Sequence, residues 1–472
     1  MDVFMKDSDA FTWYMERDPI LRSTVVSVVW LDRSPDWEKL VATLDRATRL
    51  IPVFRQRVVE PPGRIATPRW TVDGGFDLTW HLRRMDAPSP HTSEAVLEVA
   101  RHEAMTAFDR SRPLWEFTLI EHLEEETAAM VMKFHHSMTD GIGAVQLAVL
   151  LFDVERAPGR SGSMPDAPAG EPMETTELVR VSIARDWRKF SGLVSAQARS
   201  LVPSTLRAAR HPLESVGAVL ATVRSIGRTV APVQETRSPI MVGRGLGRRL
   251  DVIEIELADL KRAASKAGGS INDGFIAGIT GGLRRYHEHH GAPVDELRVT
   301  LPISIRTPQD PIGGNRITLM RFTVPVSGQD PAQRIHEIGR RCGAARHEPS
   351  LGFTDAIAGT LNLLPPGVVG GMLKHVDFVA SDVPGFTTPV YLAGALVGRQ
   401  VAFGPTIGSS VNLTLLSSND TCSVGITMDA VAIPDHDVFV DCMQGGFEEV
   451  LALGGDHRPV RAPFRDRTAG AT

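Results

Sequence analysis

Two adjacent histidines and an acidic turn, His135-His136-Ser137-Met138-Thr139-Asp140-Gly141, are the residues of this chain best suited to chemistry. A histidine with an ordinary pKa of about 6.5 can accept a proton as a general base near neutral pH. Ala128 to Phe134, just before the pair, has, apart from Lys133, the apolar character of a strand buried on both faces, and Val145 to Phe152, just after it, reads as a buried helix. Side chains alternate along a strand, so His136 shares a face with Met132 and Phe134, while His135 points the other way with Val131 and Lys133. Only one imidazole then faces a given cavity. Asp140, followed by a glycine that tolerates unusual dihedrals, is placed to brace the turn and orient the ring. Two other readings compete, a pair of satisfied core histidines and a zinc site. Zinc sites commonly use histidines at i and i+4 or spaced His and Cys clusters, and neither arrangement occurs here, so no metal is expected.

The elements that position these groups extend over the whole chain. At 472 residues with 42% hydrophobic content, the chain can build substantial cores and is expected to form two domains. A formal net charge of −5 argues against nucleic acid as the main partner. Three widely spaced cysteines, Cys342, Cys422 and Cys442, suggest a reducing compartment and no redox motif. The start lacks the basic and apolar regions of a signal peptide, and no apolar run reaches about 18 residues, so a cytoplasmic protein, at most peripheral to a membrane, is expected.

Within residues 1–156, strands are expected at Thr24 to Leu31 and Trp115 to Glu121, with helices at Asp9 to Arg17, Trp37 to Ile51 and Ser93 to Ala107. Ala157 to Pro172 is rich in proline and glycine and marks a boundary. Thr176 to Val230 is helical in character and basic. It reads either as a surface helix on an anionic bilayer or lipid inclusion, or as a crossover helix with solvated charges. Residues 157–240 are therefore assigned to linker and crossover.

The second domain, 241–455, opens with a strand at Leu250 to Leu257 and a helix at Ala258 to Lys266. Ser270, Asn272 or Asp273 can cap the next helix, Phe275 to Tyr286, whose free N–H groups would favour developing negative charge nearby. The histidines at its far end, His287, His289 and His290, read as exposed. Arg306, at the end of a strand from Leu297 to Ile303, could form a two-pronged pair with Asp140 or be a surface arginine. Residues 456–472 read as a disordered tail.

The histidine stretch matches the HHxxxDG signature of coenzyme-A-dependent acyltransferases and peptide-synthetase condensation domains. Together with Pro113-Leu114-Trp115-Glu116, Asn272-Asp273, Pro302 to Arg306, Gly314-Asn315-Arg316, Ser381 to Gly385 and Asp429 to Asp435, in this order, the chain resembles the bacterial wax ester synthase/diacylglycerol acyltransferase family. One departure is Asp382-Val383-Pro384-Gly385, where relatives usually carry Asn-Val-Pro-Gly. The resemblance implies an α/β (α+β) fold of two chloramphenicol-acetyltransferase-like domains, each a mixed sheet with flanking helices, with an active-site tunnel at their interface. It also implies O-acyl transfer from acyl-CoA, as co-substrate and with no cofactor, to a diacylglycerol or a long-chain alcohol. In that reading His136 is the base, His135 and Asp140 give structural support, and the backbone at Gly141 and the Asn272 side chain stabilise the oxyanion, with Asp273 and Arg306 as further binding candidates. An apolar tunnel would favour long chains without reading their length sharply. Two alternatives are a related acyltransferase with another acceptor or a carrier-protein donor, and a catalytically silent lipid-surface binding protein.

Overall fold

In the sheet that carries the histidines, the strand Ala128–His135 is buried at every position. Its even-numbered side chains, Met130, Met132 and Phe134, enter one core, while Ala129 and Val131 enter another beneath the helix Ser93–Met105. Cover on both faces is what an apolar run interrupted only by Lys133 requires.

The chain is seen here as a computed structural model that describes residues 3–61, 67–138, 147–157, 162–169, 180, 235–304, 317–328, 330–348, 358–359, 362, 371 and 373–465. Part of the expected linker at 157–172 and nearly all of the basic segment 176–230 lie outside these residues, as do Asp140, Gly141 and Arg306.

The first sheet has seven strands in the order Leu82–Asp86, Trp115–Glu121, Ala128–His135, Thr24–Leu31, Ala395–Phe403, Tyr391–Leu392 and Phe152–Asp153. The second has six, in the order Ile317–Pro325, Glu296–Ser304, Phe378–Pro384, Val411–Ser418, Thr421–Asp429 and Arg248–Glu256. A small third sheet joins Val3–Phe4, Arg69–Val72 and Gln56–Val59. Helices Leu257–Lys266, Ile271–His289, Pro331–Arg346 and His436–Ala452 contribute buried residues to the core of the second sheet. Two of them meet very closely, since a Cβ at Gly446 would collide with the backbone of Gly282.

Two strands from the second half cross into the first sheet. Ala395–Phe403 pairs antiparallel with Thr24–Leu31, matching Val401 to Val28 and Phe403 to Val26, and so places residues 391–403 outside the second sheet. Its apolar alternation is broken by Gly398-Arg399-Gln400, where the register shifts at a bulge. This strand also lies against the second sheet, with no room for a side chain at Gly425 opposite the carbonyl of Ala402.

The end of the chain differs from the disordered tail expected over 456–472. Arg461 bridges to Glu254 backbone to backbone, Val460, Ala462 and Phe464 are buried, and Phe464 stacks on Trp30 with ring centroids 5.2 Å apart. Three apolar residues at a spacing of two are enough to pin the chain through Arg465, and residues 466–472 lie outside the described part. His287 departs from expectation too. It is fully buried, with Nδ1 at 2.7 Å from the Leu283 carbonyl and Nε2 at 2.8 Å from Ser238 Oγ, because the helix end turns that face onto residues 235–241. His289 and His290 are exposed.

Candidate active site

His136 lies one residue beyond the end of its strand, yet its backbone stays in the ladder. Its N–H donates to the Ser23 carbonyl at 2.9 Å, and that of His135 donates to Leu114 at 3.0 Å. Strand alternation therefore persists through both histidines. Met132, Phe134 and His136 all line one cavity, whereas His135 is turned away and fully buried.

The surroundings of His135 fix its tautomer. The Ser137 N–H donates to Nδ1 at 3.1 Å, so Nδ1 is the acceptor and the proton sits on Nε2, which donates to Glu16 Oε2 at 2.6 Å. Ser137 Oγ adds a second contact to Nδ1 at 2.7 Å. Trp13 and Phe108 close over the ring edge-on. Burial pushes the Glu16 carboxyl up, but His135, Arg110 and Arg22 outweigh it and hold the group below its ordinary range. The result is a clamp on the turn that presents His136. Lys133, on the same side, is also fully buried and pairs with Glu103 at 3.0 Å.

The cavity has a volume of about 230 Å³ and runs between the two sheets. Register gives its direction. From His136 the first sheet supplies Phe134 and Val25, which are paired partners, then Met132, Ser27, Ala402 and Phe117 in one row, then Gln400. The second sheet supplies Asn412, Thr414 and Leu416 in step with Val379, Ser381 and Val383. Residues 147–151 form a helix that adds Leu147, Ala148 and Leu151. Most of the wall is apolar, and its polar groups are largely occupied. The Asn412 amide donates to Pro405 at 2.7 Å and accepts from Thr414 at 3.1 Å, and Ser27 donates to Val401 at 3.1 Å. Gln400 Oε1 is buried with no partner among the described residues, which leaves it for a bound hydroxyl or amide.

The other site candidates separate by position. Asp273 completes a capping box, its Oδ2 accepting from Ser270 N at 2.8 Å and Ser270 Oγ at 2.7 Å at the start of the helix Ile271–His289. Neither it nor Asn272 is among the residues lining the cavity. Asp140, Gly141 and Arg306 fall outside the described residues, and so does the proposed Asp140–Arg306 pair. Asp382 lies in the cavity wall, but the alternation that turns Ser381 and Val383 inward turns its side chain to the face of its partner Leu415, in the core of the second half. The residue is exposed there, and desolvation by the surrounding protein raises its carboxyl pKa against a smaller opposing effect from Arg346. Glu16 and Gln400 join the site without a signal in the sequence that marks them. Glu16 is 119 positions from His135 with no local motif, and Gln400 sits beside Arg399 in a polar break of its strand that gives no local sign of a site. Among the described residues no group of three His, Cys, Asp or Glu could hold a metal, and no helix is long and apolar enough to cross a membrane.

Residues 5–275 match the wax ester synthase/diacylglycerol acyltransferase catalytic domain, and residues 313–450 match the C-terminal domain of the same enzymes. The chain belongs to this acyltransferase family. A Mycobacterium tuberculosis H37Rv protein provisionally named as a diacylglycerol O-acyltransferase is 36% identical over 459 residues, covering 97% of this chain and 93% of the relative. Another from strain CDC 1551, named in the same way, is 29% identical over 474 residues, with 95% and 90% covered. Among solved structures, the wax ester synthase/diacylglycerol acyltransferase of Marinobacter aquaeolei VT8 superposes with a TM-score of 0.61 at 20% identity, over 96% of this chain and 100% of that one. The first condensation domain of the CDA synthetase gives 0.64 at 15% identity, over 98% of each chain. The starter condensation domain of rhizomide synthetase, in a complex with C8-CoA and Leu-SNAC, gives 0.63 at 11%, over 97% and 95%. The fold of this acyltransferase is the two-domain chloramphenicol-acetyltransferase-like arrangement.

Proposed function

We propose that this acyltransferase moves a long-chain acyl group from acyl-CoA to the hydroxyl of a diacylglycerol or a long-chain alcohol, with His136 as general base. The observation that carries this reading is the imidazole of His136 facing an apolar cavity between the two sheets while its neighbour His135 is locked into the protein by Glu16. His136 takes the hydroxyl proton as the oxygen attacks the thioester carbonyl, then returns it to the departing CoA sulfur. No covalent bond to the enzyme is needed. A positioned base contributes about 10² to 10⁴ in rate, and the remainder must come from holding both substrates in line and from donors to the oxyanion.

The backbone N–H at Gly141 is the proposed oxyanion donor. Asn272 and Asp273 are better assigned to starting their helix, and Arg306 is retained as the partner of Asp140. The rhizomide starter domain was solved with an acyl-CoA, the donor class assigned here. A lipid acceptor would reach the cavity from a membrane or lipid-inclusion surface, with the basic segment 176–230 as the proposed contact.

The acceptor is tested by incubating radiolabelled palmitoyl-CoA with hexadecanol or with dipalmitoylglycerol and separating the lipid products. Labelled wax ester or triacylglycerol is expected, and the faster of the two names the physiological class. Labelled free fatty acid alone, with no ester from either acceptor, would contradict the reading.

A further inference from the structure

The cavity has a second end, and register locates it. Ala128, paired with Leu31, is eight positions before His136, which at 3.3 Å per strand residue is about 26 Å away. Leu31 faces Val397 across the sheet, and two residues further back Ala395 pairs with Leu392, which itself pairs with Phe152. Phe152 is thus at the opposite end of the first sheet from His136. The second sheet runs the same way. Its wall passes from Asn412 to Leu416, the chain turns at Gly385, whose N–H donates to Ser417 at 2.7 Å, and Phe386 follows. Phe152 and Phe386 both line the cavity and meet edge to face with ring centroids 5.4 Å apart.

We propose that this aromatic pair, one ring from each half of the protein, closes the far end of the cavity and sets the longest hydrocarbon chain that fits with its reactive end at His136. The inference rests on the acyltransferase reading and adds to it a length limit where an apolar tunnel alone would impose none. Several features fit a stop rather than ordinary core packing. The approach from His136 along Phe134, Met132 and Phe117 is apolar, as a chain requires. The pair spans the two halves, so neither sheet alone builds it. Phe152 is nearly fully buried while Phe386 is half-buried, so the outer ring can be removed with little loss of core. The chain held there belongs to the acyl donor or to the acceptor alcohol, both of which present the same methylene chemistry.

The test measures turnover of octanoyl-, palmitoyl- and docosanoyl-CoA with hexadecanol, and of palmitoyl-CoA with octanol, hexadecanol and docosanol, in the unmodified protein, Phe386→Ala and Phe152→Leu. Binding of the same acyl-CoAs and alcohols by equilibrium dialysis runs alongside. Each newly buried methylene is worth about fourfold in affinity, so the ratio of docosanyl to hexadecyl substrate should rise by more than about tenfold in the variants. The arm in which it rises names the chain. Variants that melt lower but keep the same ratios in both arms would show mere core packing and overturn the inference. If no pair of substrates turns over, the reaction reading fails by itself and the binding ratios still decide. A protein that binds none of these chains overturns both.

Discussion

Removing the carboxylate of Glu16 tests whether the clamp behind the catalytic turn has the role its geometry gives it. In Glu16→Ala the His135 Nε2–H, fully buried, loses its acceptor at 2.6 Å, and Arg110 and Arg22 lose a shared counter-charge. An unsatisfied buried donor costs about 1–3 kcal/mol. Glu16→Gln keeps an acceptor oxygen at the same reach and should recover most of that loss. The sign with pH follows from the depressed carboxyl. Its stabilisation is fully present above the ordinary value of 4.5 and disappears as pH falls through the lower folded-state value, so the gap between the unmodified protein and Glu16→Ala should be wide at neutral pH and close in acid. Urea titrations of the three proteins at neutral and acid pH measure this, and initial rates on the same samples report the turn. The expected result is a lower midpoint and a lower kcat for Glu16→Ala, with both largely restored in Glu16→Gln. Equal midpoints and rates for all three proteins would refute the clamp.

Two other changes probe the frame around the site. Burial raises the Asp251 carboxyl from 3.8 to about 6, so the folded form holds its proton more tightly than the unfolded chain, and the cost to stability builds as pH rises from the ordinary value to the raised one and is complete above it. Asp251→Asn keeps the acceptor for the Val252 N–H and should stabilise the protein by up to about 3 kcal/mol near pH 8 and very little below pH 4, as measured by thermal melts across pH. Gly425→Ala places a methyl group on the Ala402 carbonyl where the two sheets touch, so it should cost about 1–3 kcal/mol by overpacking and slow turnover by shifting Ala402 in the cavity wall. A variant with unchanged melting and unchanged rate would show that the sheets separate freely there.

Much of this arrangement can be read in the chain before any coordinates. Thr24–Leu31 and Trp115–Glu121 coincide with their apolar runs, and period-two alternation alone turns His136 toward Met132 and Phe134. The helix expected from Phe275 begins at Ile271, because Ser270 and Asp273 act together as a cap rather than as separate candidates. What escaped reading depends on long-range pairing. Residues 391–403 join the sheet of the other half through a strand whose own pattern is broken at Gly398-Arg399-Gln400, and Glu16 meets His135 across 119 residues. The tail through Phe464 was hidden by brevity, since three alternating apolar residues carry little signal until Trp30 is beside them. Asp382, a departure visible in the sequence, takes on meaning only from register, which turns its carboxyl to the face away from the one that Ser381 and Val383 share with the cavity.

The central claim is that the imidazole of His136 is the base, and its most direct test is acceptor-dependent release of CoA from palmitoyl-CoA by the unmodified protein, His136→Ala and His136→Gln. Samples would first be matched by thermal melting. Release is expected to require the alcohol and to fall by about 10² to 10⁴ in both variants. A folded His136→Ala protein that releases CoA at the unmodified rate would contradict it.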